Sequence, residues 1–226
     1  MLEGNVIRNI PAIARLPGVA PLFERFRGVP AFVVAAGPSL DGDLPHLAAA
    51  ASRGLLICVG KTLPLLLGRG ITPHIAVSID PHELSRKPFA GLPPGLRTLL
   101  VFDPDSHPDI PAGYPGPVAS CETFVPTVQW GKAWWGDKGF LDKGLTVAHA
   151  VFFLARALGA DPIALIGVDL AFPGEQTHAA GVERTWGGLV RNIPRGTMRV
   201  PATAGGEVLS HNTFLSFLSA FDVEIA

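Results

Sequence analysis

Charge is scarce in this chain: only 16% of its 226 residues are Asp, Glu, Lys or Arg, and the 19 acidic and 18 basic side chains almost cancel. Without a basic surplus, nothing in the composition points to nucleic acid or to an anionic membrane as a partner. Cysteine is equally scarce. Cys58 and Cys121 stand alone, with no Cys-x-x-Cys or Cys/His spacing, which excludes a disulfide framework and leaves no zinc signature. Long apolar runs are absent too. Leu55 to Leu67 is broken by Lys61, and Leu145 to Ala160 by His149 and Arg156, so no segment reads as a bilayer span. The first five residues, Met1-Leu2-Glu3-Gly4-Asn5, lack the basic start and apolar core of a signal peptide, so a cytoplasmic protein is expected. Three familiar motifs are missing: Gly-x-Gly-x-x-Gly, the full Gly-x-x-x-x-Gly-Lys-Ser/Thr phosphate loop (Gly60-Lys61-Thr62 has Leu55 where the leading glycine would stand), and the Gly-x-Ser-x-Gly nucleophile elbow. The absence of the last, with no convincing His context for either cysteine, argues against hydrolysis through a covalent serine or cysteine.

What the chain has in quantity is apolar residues, 48% of the total, which suits a sheet buried on both faces. Six short apolar runs read as strands: Ala31–Ala36, Leu55–Val59, Ile75–Ile79, Thr98–Phe102, Val118–Cys121 and Pro162–Ile166. Between them Asp43–Arg53, Thr62–Arg69 and Leu145–Leu158 read as helices, the last with Val147, Val151, Leu154 and Leu158 on one face. Gly70 before Pro73, and Gly159 before Asp161-Pro162, supply helix stops. Strand alternating with helix predicts an α/β fold, Rossmann-like, with a mostly parallel sheet and helices on both faces. The expected organisation is a helical lead-in over residues 1–30, interrupted at Pro17-Gly18 and Pro21, followed by one nucleotide-binding domain over 31–226. Residues of about 103–143 form an irregular insertion with Trp130, Trp134 and Trp135 close together. It reads either as a lid or acceptor-binding element or as ordinary satellite packing. A second irregular stretch runs from Pro173 to Gly206.

Open parallel sheets bind ligands at the carboxyl ends of their strands, so the residues just beyond each run are the candidates. The first turn is Gly37-Pro38-Ser39-Leu40, where glycine permits close approach and Ser39 offers a hydroxyl and an amide to a phosphate or carboxylate. The second is Gly60-Lys61-Thr62. Lys61 could neutralise a phosphate and Thr62 cap the next helix, although a solvated lysine beside an ordinary cap fits the same pattern. Asp80, after the third run, suits a ribose hydroxyl or Mg²⁺. Thr146 stands near a helix start, where anions bind. Asp169 repeats the strand-end carboxylate, and His178, in Thr177-His178-Ala179, is the candidate general base or acid. His149, inside an apolar helix, reads as a hydrogen-bonded structural residue.

Taken in order, four segments resemble one family: Val33 to Asp41, Gly70-Ile71-Thr72-Pro73-His74 leading to Ser78-Ile79-Asp80-Pro81, Gly144 to Ala150, and Ile166 to Ala171 with Thr177-His178-Ala179. It is the MptE-like family, which includes motility-associated factor (Maf) glycosyltransferases and 6-hydroxymethylpterin pyrophosphokinases. The resemblance implies a transferase with a core similar to bacterial sialyltransferases or to thiamine pyrophosphokinase. On the Maf side it implies a glycosyltransferase drawing on a nucleotide-activated sugar of the CMP-nonulosonic-acid type, with a flagellin-like protein or a small molecule as acceptor. On the pyrophosphokinase side it implies ATP and Mg²⁺, with Asp80 as the metal residue; no other cofactor is implied. A non-catalytic nucleotide-binding module is a third reading. Where many relatives carry an acidic residue after the second strand, this chain has Gly60-Lys61-Thr62.

Overall fold

The computed structural model describes residues 2–185 and 193–225. All six apolar runs form strands: β1 (Ala31–Val34), β2 (Leu55–Val59), β3 (Ile75–Ser78), β4 (Leu99–Phe102), β5 (Val118–Ser120) and β6 (Ile163–Ile166). They build one parallel sheet in the order β5-β4-β3-β2-β1-β6. Every residue of β2 and β3 is buried, which explains why these strands are continuously apolar rather than alternating. Helices α2 (Leu40–Ala51), α3 (Leu63–Gly68) and α6 (Val147–Ala157) connect the strands. Gly70 and Gly159 follow α3 and α6 at positive φ.

The strand order sets the location of any ligand. The chain walks outward from β1 to β5 and then returns to the other side of β1 to add β6. Its direction reverses between β1 and β6, so the crests of these two strands diverge into a crevice.

The lead-in closes the far side of the same sheet edge. Helix α1 (Leu2–Arg15) lies across the ends of β3 and β4. Its Asn5 amide donates to the Pro81 and Asp105 carbonyls at 2.9 and 3.0 Å, and Asn9 donates to Pro104 and Ser106, each at 2.8 Å. Two asparagines thereby satisfy four loop carbonyls that would otherwise be buried unpaired. Lys143 adds ion pairs to Asp105 (2.7 Å) and to the fully buried Asp103 (3.6 Å). Burial still pushes the Asp103 carboxyl up to about 6, with the Lys143 charge pulling it down.

The stretch 103–143 is more regular than its glycines and prolines suggest. It contains α4 (Asp109–Gly113), β5 and α5 (Pro126–Trp135). Helix α5 packs on α1 at the β5 end of the sheet, and no residue of 103–143 lines the crevice. Trp130 and Trp134 of α5 stay largely exposed, with ring centroids 4.3 Å apart. Of the 173–206 stretch, residues 186–192 lie outside the described residues; the rest includes a 3-10 turn (Pro173–Glu175), α7 (Ala180–Thr185) and β7 (Met198–Pro201), joined by loops.

The C-terminal hairpin and helix escaped the sequence reading. β7 pairs antiparallel with β8 (Glu207–Ser210), and α8 (Asn212–Ile225) follows. Helix α8 lies along α6 in parallel register: His149 faces Phe217, Phe152 faces Phe221, and Arg156 pairs with Glu224 at 2.6 Å. The signal for α8 was present as Phe214, Phe217 and Phe221 at helical spacing. The hairpin had none, since β7 is largely exposed.

Where β1 and β6 part, Gly37 donates its N–H to the Gly167 carbonyl at 2.8 Å, and a Cβ at position 37 would land on the Asp169 carboxylate and 2.6 Å from the Gly167 oxygen. Gly37→Ala is expected to cost about 1–3 kcal/mol through overpacking, lowering Tm by about 2–4 °C for each kcal/mol in a chain of this size. Thermal denaturation followed by circular dichroism checks this, and an unchanged Tm contradicts it.

Candidate functional site

The first turn is tied into the fold more completely than expected. Ser39 donates its amide to Asp169 Oδ2 at 3.0 Å, Leu40 to the Gly37 carbonyl at 3.1 Å, and Gly37 to Gly167. Pro38 has no amide proton. The N–H groups expected to cradle a phosphate are therefore engaged within the protein. Gly37 and Pro38 still line the crevice, whereas the Ser39 side chain is exposed outside it and Leu40 is buried in the core. Asp169 lines the crevice while bracing the turn.

The crevice opens into a cleft of about 270 Å³. Its floor includes the first turn of α6, with Thr146, Val147 and Ala148 all in the lining. A helix's first amides have no intrahelical acceptor, so the Val147 and Ala148 N–H groups and the positive end of the helix dipole meet the cleft. Thr146 is the N-cap. Its Oγ1 accepts the His149 N–H at 3.2 Å and lies 3.1 Å from His149 Nδ1. His149 Nε2 lies 3.1 Å from the Phe217 carbonyl, which can only accept, so the ring proton sits on Nε2 and Nδ1 accepts from the threonine hydroxyl. Burial lowers the pKa of this histidine and keeps it neutral. With Phe221 stacked on its ring at 4.0 Å, His149 is the structural residue anticipated from its position, and it fastens α8 to the start of α6.

Lys61 and His178 meet in the same cleft. The turn Gly60–Thr62 after β2 carries Lys61, while His178 is brought in by its neighbours: Ala179 donates to the Ala36 carbonyl and Ala180 to Asp41 Oδ2, each at 2.9 Å. Lys61 Nζ lies 3.3 Å from His178 Nε2. An ammonium only donates, so Nε2 accepts and the ring proton is on Nδ1, which is buried with no hydrogen-bond partner among the described residues. Burial, reinforced by the Lys61 charge, pulls His178 down to about 4. Burial also lowers Lys61, with Asp80 opposing the shift. Two basic groups thus meet in the cleft, with Asp80 acting on Lys61 from the side. That arrangement favours an anion.

Asp80 belongs to a smaller adjoining cleft of about 30 Å³, which shares Val59, Lys61 and Val147 with the first. Its Oδ1 accepts the His82 N–H at 2.9 Å. Thr62 departs from expectation: it makes no side-chain cap at α3, and its buried Oγ1 has no hydrogen-bond partner among the described residues. The fold thus gathers Gly37, Pro38, Lys61, Thr146, Asp169 and His178 in one cleft, sets Asp80 beside it, and leaves Ser39, Leu40 and Thr62 out of the lining. Sequence reading did not find Phe214 and Phe217 of α8, which also line the cleft. Their helical spacing was visible, but nothing local tied them to β1. Among the described residues no group of three or more His, Cys, Asp or Glu side chains is placed to hold a metal ion, and no helix is long and apolar enough to cross a membrane.

This fold recurs in a solved structure, the Maf glycosyltransferase from Magnetospirillum magneticum AMB-1, with a TM-score of 0.66 over 96% of this chain at 20% identity. The chain spans 33% of that protein's length. No curated protein matches the sequence. A family model described as 6-hydroxymethylpterin diphosphokinase MptE-like matches residues 4–175, so the chain belongs to the MptE-like family.

Proposed function

We propose that the chain is a glycosyltransferase that takes a sugar from a nucleotide donor, of the CMP-nonulosonic-acid type that its Maf-like motifs suggest, and passes it to a hydroxyl acceptor, a flagellin-like protein or a small molecule. The observation that carries this reading is the convergence of the α6 N-terminus, Lys61 and His178 on one largely apolar cleft at the strand-order reversal. The donor phosphate sits on the Val147 and Ala148 amides, with Gly37 and Pro38 as the adjoining wall. Lys61 turns from His178 to the phosphate, where it stabilises the charge that develops as the sugar–phosphate bond breaks. That turn frees His178 Nε2, which takes the acceptor hydroxyl's proton as the oxygen bonds to the anomeric carbon. Asp169 orients ribose or sugar.

A second reading, pyrophosphoryl transfer from ATP to a pterin-like alcohol, draws on the family's description and on Asp80 beside Lys61. Mg²⁺ is commonly held by one or two carboxylates together with substrate phosphates, and Asp80 fits as one such ligand. The ion would neutralise phosphate charge, while Lys61 and the α6 N-terminus position the chain of phosphates.

A nucleotide panel followed by thermal shift, with and without Mg²⁺, separates the readings. Cytidine nucleotides are expected to raise Tm without metal; stabilisation by ATP only when Mg²⁺ is present, abolished in Asp80→Asn, would favour pyrophosphoryl transfer instead. Lys61→Ala is expected to weaken nucleotide binding tenfold to a hundredfold, about 1.5–3 kcal/mol for a charge-assisted contact; titration calorimetry with unchanged affinity would count against the phosphate site. The pH dependence has a definite sign. His178 is held near 4 when the cleft is empty of phosphate, and an adjacent anion raises that value, so binding takes up a proton. Affinity for a nucleotide phosphodiester, whose charge is constant, should therefore rise severalfold as pH falls from 7.5 to 5, with a flatter profile in His178→Ala.

A further inference from the structure

The donor phosphate accounts for only part of the cleft. Its polar lining is confined to a few side chains near Lys61, while much of the remaining wall is aliphatic or aromatic, including Val59, Val168, Leu170, Phe214 and Phe217. A bare sugar brings hydroxyls that such a wall leaves unpaired. A planar, largely apolar group suits it. The two phenylalanines are three residues apart on α8, both partly exposed with their rings in the cleft. Each is held from behind: Phe172 packs on Phe214 with ring centroids 5.0 Å apart, and His149 meets Phe217 edge-on at 6.1 Å while hydrogen-bonding its carbonyl. Rings fixed in this way lose little freedom when a ligand packs on them. His149 also touches Thr146, the cap of the helix whose amides face the cleft, so one buried residue links the anion end to the aromatic wall.

Resting on the nucleotide reading above, we propose that Phe214 and Phe217 of α8 form the nucleobase subsite, packing against the face of the donor's base while its phosphate lies at the α6 N-terminus. Aromatic packing of this kind accepts any base, because every base has a π-face. Choice among bases then falls to polar groups at the base edge. The subsite lies outside residues 4–175, the stretch that carries the family match, so α8 completes the cleft from beyond that stretch.

The test is titration calorimetry on the full chain with inorganic phosphate, ribose 5-phosphate, CMP and AMP, using the wild type, Lys61→Ala, Phe214→Ala and Phe214→Leu. The leucine variant keeps apolar bulk without a ring, and unchanged thermal melts establish that the variants fold. The tighter of CMP and AMP is expected to bind at least about tenfold better than ribose 5-phosphate, a difference of about 1.4 kcal/mol. Both Phe214 variants should erase most of that advantage and leave ribose 5-phosphate affinity as it was, whereas Lys61→Ala should weaken all phosphate ligands together. Equal affinity for ribose 5-phosphate and the nucleotides, or a base advantage that survives in both Phe214 variants, overturns the subsite while leaving the phosphate site standing. Absence of binding by any phosphate ligand, or indifference to Lys61→Ala, overturns the nucleotide reading and the subsite with it.

Discussion

Asp169 reaches from the end of β6 to the amide of Ser39 beyond β1, and the site depends on that contact. The two strands are neighbours in the sheet although Ser39 and Asp169 lie 130 residues apart along the chain, and their ends must be fixed relative to one another before a crevice between them has a shape. The carboxylate, together with the Gly37 to Gly167 hydrogen bond, does this. Gly37 is required because Asp169 and Gly167 leave no room for a Cβ. The glycine that sequence logic associates with ligand approach thus serves close approach of the protein to itself. In the proposed function, anion binding falls instead to the neighbouring helix terminus at the start of α6.

Around this brace the polar edge of the sheet is organised in two parts. Over β3 to β5 many strand-end and loop groups are engaged internally: Asn5 and Asn9 cap loop carbonyls, Ser106 donates to the Ser78 carbonyl at 2.7 Å, and Lys143 pairs with Asp103 and Asp105, while Ser120 Oγ and Thr123 Oγ1 are buried without a hydrogen-bond partner among the described residues. Over β1, β2 and β6 the polar groups gather at the cleft. Lys61 and His178 face each other as two bases, each pushed toward neutrality by burial, and His178 keeps an unpartnered nitrogen. Unpaired buried polarity is costly, and the anion site proposed for the cleft would offset part of that cost.

Much of the fold was legible. Continuous apolar runs such as Leu55–Val59 and Ile75–Ile79 suit strands buried on both faces of a parallel sheet, and Gly159 with Pro162 marked the end of α6 plainly. Residues 103–143 misled because glycine and proline content reports local turns and says nothing of the helix α5, whose packing on α1 is a tertiary fact. Of the candidate residues, Lys61 and Asp169 beyond strands, Thr146 at the α6 cap and His178 on its loop all line the cleft. What could not be read was how hydrogen bonds are allotted among them, since the engagement of Ser39 by Asp169 depends on a contact across the whole chain. The aromatic wall from α8 was hidden for the same reason.

The central claim is that phosphate binds at the start of α6 and not on the Gly37-Pro38-Ser39-Leu40 turn. Backbone amide NMR during titration with CMP tests it directly. The account predicts that the Val147 and Ala148 amide resonances shift most while those of Ser39 and Leu40 stay near their free positions; dominant shifts at Ser39 and Leu40, with Val147 and Ala148 unmoved, would contradict it.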